Sequence, residues 1–200
     1  MHFWKCSFCG GDTVIYDWKK IVRHGIPLLT LCAFIEIFAG QILQGQQDML
    51  IRLPIFLISI PVINGVGGNI GSVLGARLAS GLHVGYISLD IKDKKMHANL
   101  LTSILIGIIT YAVLAILIYF AASFSITQTE HWIGLIEFIS IVLGAGILLV
   151  CVVSLVSVFT AFWSFKKGRD PDDTVAPVVT TVGDTLGIVF LFLLIGVVGI

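Results

Sequence analysis

The sequence predicts an all-α fold: a polytopic membrane protein with five transmembrane helices, its N-terminus inside and its C-terminus outside. Composition is the first reason. Of 200 residues, 57% are hydrophobic and only 12% are charged, against about 25% charged in an average soluble domain. A mean hydropathy of +1.03 leaves the bilayer as the solvent. The second reason is where the charges sit. Uncharged apolar stretches run over residues 25–43, 53–79, 100–124, 132–162 and 174–200, and only Glu36, Arg77, Glu137 and Asp184 fall inside them. Most meet the roughly 20 residues that a spanning helix needs. The third reason is the alternation of Lys and Arg. Ten lie in the N-terminal segment, the second connection and the fourth connection, against Arg52 alone in the first connection. Cytoplasmic loops retain basic residues, so an odd number of crossings fits this pattern.

The expected division is a short cytoplasmic segment over residues 1–24 and a five-helix unit over 25–200. No apolar h-region precedes a cleavage site in the first 25 residues, so the first span is the insertion signal. Trp18, Trp132 and Trp163 fall where interfacial aromatic belts are expected. Twelve basic and twelve acidic residues cancel, which gives no field to attract nucleic acid. The expected partners are therefore the lipid bilayer and small ions, and the expected location is the plasma membrane.

In the first span, Glu36 is near the middle. It reads as a proton site, as a pair with Arg77, or as a packed and hydrogen-bonded acid. The second span reads LPIFLISIPVINGVGGNIGSVLGARLASG, with Pro54 and Pro61 early and Gly65, Gly67 and Gly68 central. These residues predict a break near Gly65 to Asn69. Backbone freed there must face protein or a wet cavity, which makes it a candidate ion site. Beyond it, Gly67, Gly71, Gly75 and Ala79 recur every four residues and form a smooth strip for close helix contact. No G-x-G-x-x-G register fits this run, so a dinucleotide fingerprint is rejected. The third and fourth spans are plain apolar helices, with Glu137 near the outer interface.

The fifth span, preceded by Asp170, Asp172 and Asp173, carries the sharpest signal. Asp184 lies ten residues after Thr174, roughly 15 Å along a helix and near the middle of a 30 Å core. A carboxylate at that depth is functional by default. Thr180 and Thr181 share its face. The three earlier acids either concentrate cations at a pore mouth or cap the helix.

The inventory restricts the cargo. All five histidines lie in or beside connections, and only Cys32 and Cys151 are cysteines within spans, which disfavours soft metals. Carboxylate, amide, hydroxyl and carbonyl oxygens suit a hard cation such as Mg²⁺, which keeps several waters. One Asp is too little charge for a divalent ion. Two copies of Asp184 on a two-fold axis would supply a pair. Cys6 and Cys9 form half a zinc ribbon, for which a zinc-free tail is the expected outcome. With no nucleophile–base pair or phosphate cradle, an enzyme is not expected.

At PVINGVGGNIGSVLGARLASGLHVG (61–85) and DPDDTVAPVVTTVGDTLGIVFL (170–191) the chain resembles the membrane domain of MgtE-type magnesium channels and transporters, including their eukaryotic solute-carrier relatives. The resemblance implies a homodimer around a pore formed chiefly by the second and fifth spans. It implies that Asp184 binds hydrated Mg²⁺, that Thr180 faces the pore through its carbonyl, and that Gly67, Gly68 and Asn69 match the Gly-Gly-Asn of the second helix. Arg77 resembles an arginine of the solute-carrier relatives, and no role is carried over for it or for Glu36. Bacterial members carry cytoplasmic Mg²⁺-sensing modules; with about 24 residues before the first span, regulation by that route is not expected. The function expected is Mg²⁺ transport, with other hard divalent cations as further cargo. The alternatives are an H⁺- or Na⁺-coupled carrier and a non-transporting membrane scaffold.

Overall fold

A computed structural model describes residues 18–90, 93–125 and 133–199. It is all-helical over these residues: α1 (Trp18–Gly45), α2 (Gln47–Arg52), α3 (Pro54–His83), α4 (Lys94–Ser125), α5 (Leu135–Lys166) and α6 (Pro171–Val198). All but the short α2 are long and apolar enough to cross a membrane, so the five expected spans are α1, α3, α4, α5 and α6. The tail with Cys6 and Cys9, together with Lys92 and Trp132, lies outside the described residues.

Local chemistry sets the ends. Pro54 and Pro171 each occupy the first turn of their helix, where a missing N–H forfeits no helical bond. The Asp170 side chain accepts the Asp172 N–H at 3.0 Å, a cap on α6. Glu137 Oε2 accepts the Gly134 N–H at 3.2 Å, so this acid caps α5. Asp93, just before α4, accepts from Ser88 N at 2.8 Å, Ser88 Oγ at 2.9 Å and Lys95 N at 2.8 Å. These donors, the Ser88 N–H foremost, hold its carboxyl below the usual carboxylate range. Gly85 and Gly168, with φ of 72° and 65°, close α3 and α5 in the left-handed conformation that glycine tolerates.

The expected break in the second span does not form. α3 runs unbroken from Pro54 to His83. Pro61 is tolerated on its exposed side, while Gly67, Gly68, Gly71 and Gly75 are buried against neighbouring helices. Their conformational cost in a helix, about 1 kcal/mol each, is offset by the close approach that they permit.

Side-chain register gives the topology. A Cβ added at Gly75 would strike Val175 Cγ1, one at Gly71 would strike Val179 Cγ1, and one at Gly68 would lie 3.2 Å from Thr180 Cγ2. Thus α3 and α6 run antiparallel in four-residue steps. Gly67 faces Leu149, Gly71 faces Val153, and Ser157 Oγ donates to the Gly71 carbonyl at 2.8 Å, so α3 and α5 are parallel. Gly107 against Val150 and Gly146 against Tyr111 set α4 antiparallel to α5. Cys32 Sγ reaches the Pro177 carbonyl at 3.7 Å and Thr181 Oγ1 donates to Glu36 Oε1 at 3.1 Å, so α1 and α6 are parallel. The start of α1, the α3–α4 turn and the α5–α6 turn therefore share one end. Arg23, Lys94, Lys95, Lys166, Lys167 and Arg169 gather there, and Arg52 lies at the other end. α3 and α5 sit at the centre of the bundle, and α1 packs mainly on α6.

Lipid tails are as apolar as leucine, so packing and interhelical hydrogen bonds must hold such helices together. Fully buried Tyr111 supplies one, donating to the Ile63 carbonyl at 2.6 Å. Its ring fills the space left by Gly146. Tyr111→Phe keeps the ring and removes the bond. We expect a loss of about 1 kcal/mol, read as a lower thermal midpoint in detergent; an unchanged midpoint would show that this bond adds nothing.

Candidate functional site

The site is built where α3 and α6 touch through their main chains. A Cβ added at Gly183 would lie 3.3 Å from Gly68 N, so no side chain separates the helices at this level. The residue after each glycine is polar: Asn69 on α3 and Asp184 on α6. Asp184 is half-buried, Thr180 is half-buried, and Asn69 is exposed. Gly68, Thr180, Gly183 and Asp184 are thus brought together across one seam. Gly67 points elsewhere, toward Leu149 and the Tyr111 hydroxyl.

Asp184 is thirteen residues from the start of α6 at Pro171, about 20 Å along the helix. Among the described residues, no hydrogen-bond donor or cation reaches its carboxylate. Its main-chain carbonyl is held instead: Asn64 Nδ2 donates to it at 3.1 Å. The Asn64 amide oxygen has no hydrogen-bond partner and rests against Gly187, where a Cβ would displace it. The Cα–H of Gly187 is the weak donor left to this oxygen. Sequence reasoning passed over Asn64. The signal was available, since a polar amide in an apolar span, four residues before Gly68, lies on the same helix face as the glycine strip.

The Thr180 hydroxyl turns back into its own helix, toward the carbonyls of Ala176 at 2.9 Å and Pro177 at 3.1 Å. Its proton is therefore spent within α6. Thr181, one residue on, faces α1 and donates to Glu36. Through this bond Glu36 is tied to α6 three residues before Asp184. Among the described residues no ion pair joins Glu36 to Arg77, which is exposed on α3, so of the three readings of Glu36 the pair with Arg77 is not formed. Nor do three or more His, Cys, Asp or Glu residues converge on a metal position within the described residues of one chain. Oxygen ligands around Asp184 would have to include water, neutral groups or a second copy.

Residues 60–194 match the family model MgtE, described as a divalent cation transporter. The chain belongs to this family. Asn64, Gly67, Gly68, Asn69, Thr180 and Asp184 all lie within the matched segment. MgtE proteins are transporters, not enzymes. Among curated proteins the MgtE chain is similar to solute carrier family 41 member 2 of Homo sapiens, at 25% identity over 146 residues covering 68% of this chain and 26% of the relative. The Gallus gallus protein of the same name is 26% identical over 144 residues, covering 68% and 25%. The chain thus spans about a quarter of the length of these relatives. No solved structure matches it.

Proposed function

We propose that this MgtE-family chain passes Mg²⁺ across the plasma membrane through a pore on a homodimer axis, lined by α3 and α6, with Asp184 as the main electrostatic ligand. The observation that carries this reading is the Asp184 carboxylate itself: deep in a spanning helix, half-buried, and free of any counter-charge among the described residues. An acid at that depth is tolerated only against water or a cation. The main chain beneath it is locked to α3 through Asn64, which fixes the site without using either carboxylate oxygen.

Mg²⁺ is the cargo that these oxygens favour. It dehydrates reluctantly, so a single carboxylate from each of two units, acting on a hydrated ion, suits it better than a closed cage. Asn69 would face the hydrated ion through its exposed amide. Gly67 and Gly68 act as spacers that let α3 approach α5 and α6. The end bearing the basic turns is assigned to the cytoplasm by the charge rule, which places the N-terminus inside. Entry of each charge then gains about 2.3 kcal/mol per 100 mV, inside negative, and needs no coupled ion.

The second reading, a coupled carrier, draws on Glu36, a second acid within a span, bonded to Thr181 three residues before Asp184. Reconstitution into liposomes tests both. Mg²⁺ uptake driven by voltage alone, unchanged by clamped pH or Na⁺, is the expected result. Strict dependence on a proton or Na⁺ gradient would select the carrier, and no flux with an intact dimer would select a scaffold. Thr180→Ala provides a finer check. Because its hydroxyl serves its own helix, we expect uptake within about twofold of wild type, the low end of what one neutral hydrogen bond contributes. A loss as large as that of an Asp184 variant would mean that the hydroxyl meets the ion.

A further inference from the structure

We propose that the groove between the C-terminal part of α3 and the start of α4 binds the headgroup of an anionic phospholipid, with Arg77 as its principal contact. This groove of about 630 Å³ lies at the basic end of the bundle. Val73, Val84 and Ile87 give it apolar walls, while Arg77, Tyr86 and Asn99 give it polar ones.

Arg77 is the feature that requires a ligand. It lies within α3, six residues before the helix ends at His83, about 9 Å along the axis. Its long side chain can reach the membrane interface from there. Among the described residues no carboxylate pairs with it. No acid lines the groove among the described residues, and Asp93 of the adjoining turn takes Ser88 and Lys95 N–H groups. A permanent cation at this depth, without a carboxylate partner, leaves the interfacial end of the groove electropositive.

The rim adds a second cation. Lys95 Nζ lies 3.7 Å from the Tyr86 ring centroid and donates to the Tyr86 carbonyl at 3.1 Å. An aromatic and a lysine held together at this height are the residues that interfacial anchoring favours. A phospholipid matches this arrangement, with its phosphate at Arg77, its headgroup beside Val84 and Ile87 in the turn, and an acyl chain running toward the bilayer centre along Val73. A zwitterionic headgroup would bring its own amine toward Lys95, so the net-anionic class is selected. Basic pockets between helices on the cytoplasmic side bind such headgroups for the same electrostatic reason.

The test uses the full chain in detergent, offered equal amounts of dioleoyl phosphatidylglycerol and dioleoyl phosphatidylcholine, with retained lipid counted by native mass spectrometry. Wild type is expected to retain the glycerol lipid preferentially, and Arg77→Gln to lower that preference about fivefold, the effect of one basic side chain near anionic lipid. Lys95→Gln, at the exposed start of α4, should lower it in the same direction and carries the test if Arg77→Gln does not fold. Equal retention of the two lipids by wild type would overturn the proposal, as would a preference untouched by either variant. Inorganic phosphate that displaces the lipid at equal concentration would assign the site to a free anion instead. A dimer that dissociates in Arg77→Gln with lipid preference unchanged would assign the groove to a second copy of the chain.

Discussion

Asp184→Asn is expected to reduce Mg²⁺ uptake into liposomes by more than tenfold while leaving the helical bundle folded. The substitution keeps the shape and one oxygen ligand, and removes one negative charge per unit. At an effective dielectric of about 20, a charge pair some 4 Å apart interacts by roughly 4 kcal/mol. Water between ion and carboxylate lowers this, yet about 1.4 kcal/mol already amounts to tenfold in affinity. The fold is spared because the contact that ties this level of α6 to α3 runs through the Asp184 main-chain carbonyl and Asn64 Nδ2, which the substitution leaves in place. Bound Mn²⁺, located by anomalous scattering, gives an independent reading of the same site. Uptake at the wild-type rate with the ion still present would remove Asp184 from the pathway.

Gly71→Leu is expected to have an effect of comparable size by a different route. A Cβ at this position would already strike Val179 Cγ1 and lie 3.4 Å from Val153 Cβ, and leucine adds three more carbons. Overpacking of a filled interior typically costs about 1–3 kcal/mol, and here the displaced neighbours belong to two helices at once. We expect a lower thermal midpoint and loss of uptake together, with loss of the proposed dimer. Gly71→Ala with Val179→Ala should recover much of the stability, because the second change vacates the space that the first one claims. Normal assembly and uptake in Gly71→Leu would show that the seam is looser than its geometry implies.

How much of this was legible in the sequence differs from residue to residue. The five spans and the gathering of basic residues at one end follow from hydropathy and from Arg23, Lys94, Lys95, Lys166, Lys167 and Arg169. These are local properties, read without knowing what touches what. The glycine run was legible as unusual but not as continuous helix. A missing Cβ suits a broken backbone and a tight contact equally well, and the deciding partners, Val175, Val179 and Thr180, lie 100 residues or more away in sequence. Asp184 announced itself because an acid in a span is rare. The roles of Asn64 and Thr181 did not, since each depends on a single bond to another helix. The six-residue helix α2 was hidden for the opposite reason: it lies in a polar connection with no periodicity to mark it.

The four-residue spacing of the α3 strip has a further consequence. Gly71 and Gly75 are notches about 6 Å apart, filled by Val179 and Val175, and the small residue Ala79 follows one interval further on. Displacing α6 by one such interval toward the basic end would set Val179 against Gly75 and Val175 against Ala79. The strip therefore holds the helices close yet is almost silent about which notch belongs to which valine. That information resides in the few directional bonds along α6: Asn64 to the Asp184 carbonyl, Ser164 to Thr174 at 2.6 Å, and Thr181 to Glu36. Adhesion and alignment are thus encoded by different residues, and a substitution can destroy one while sparing the other.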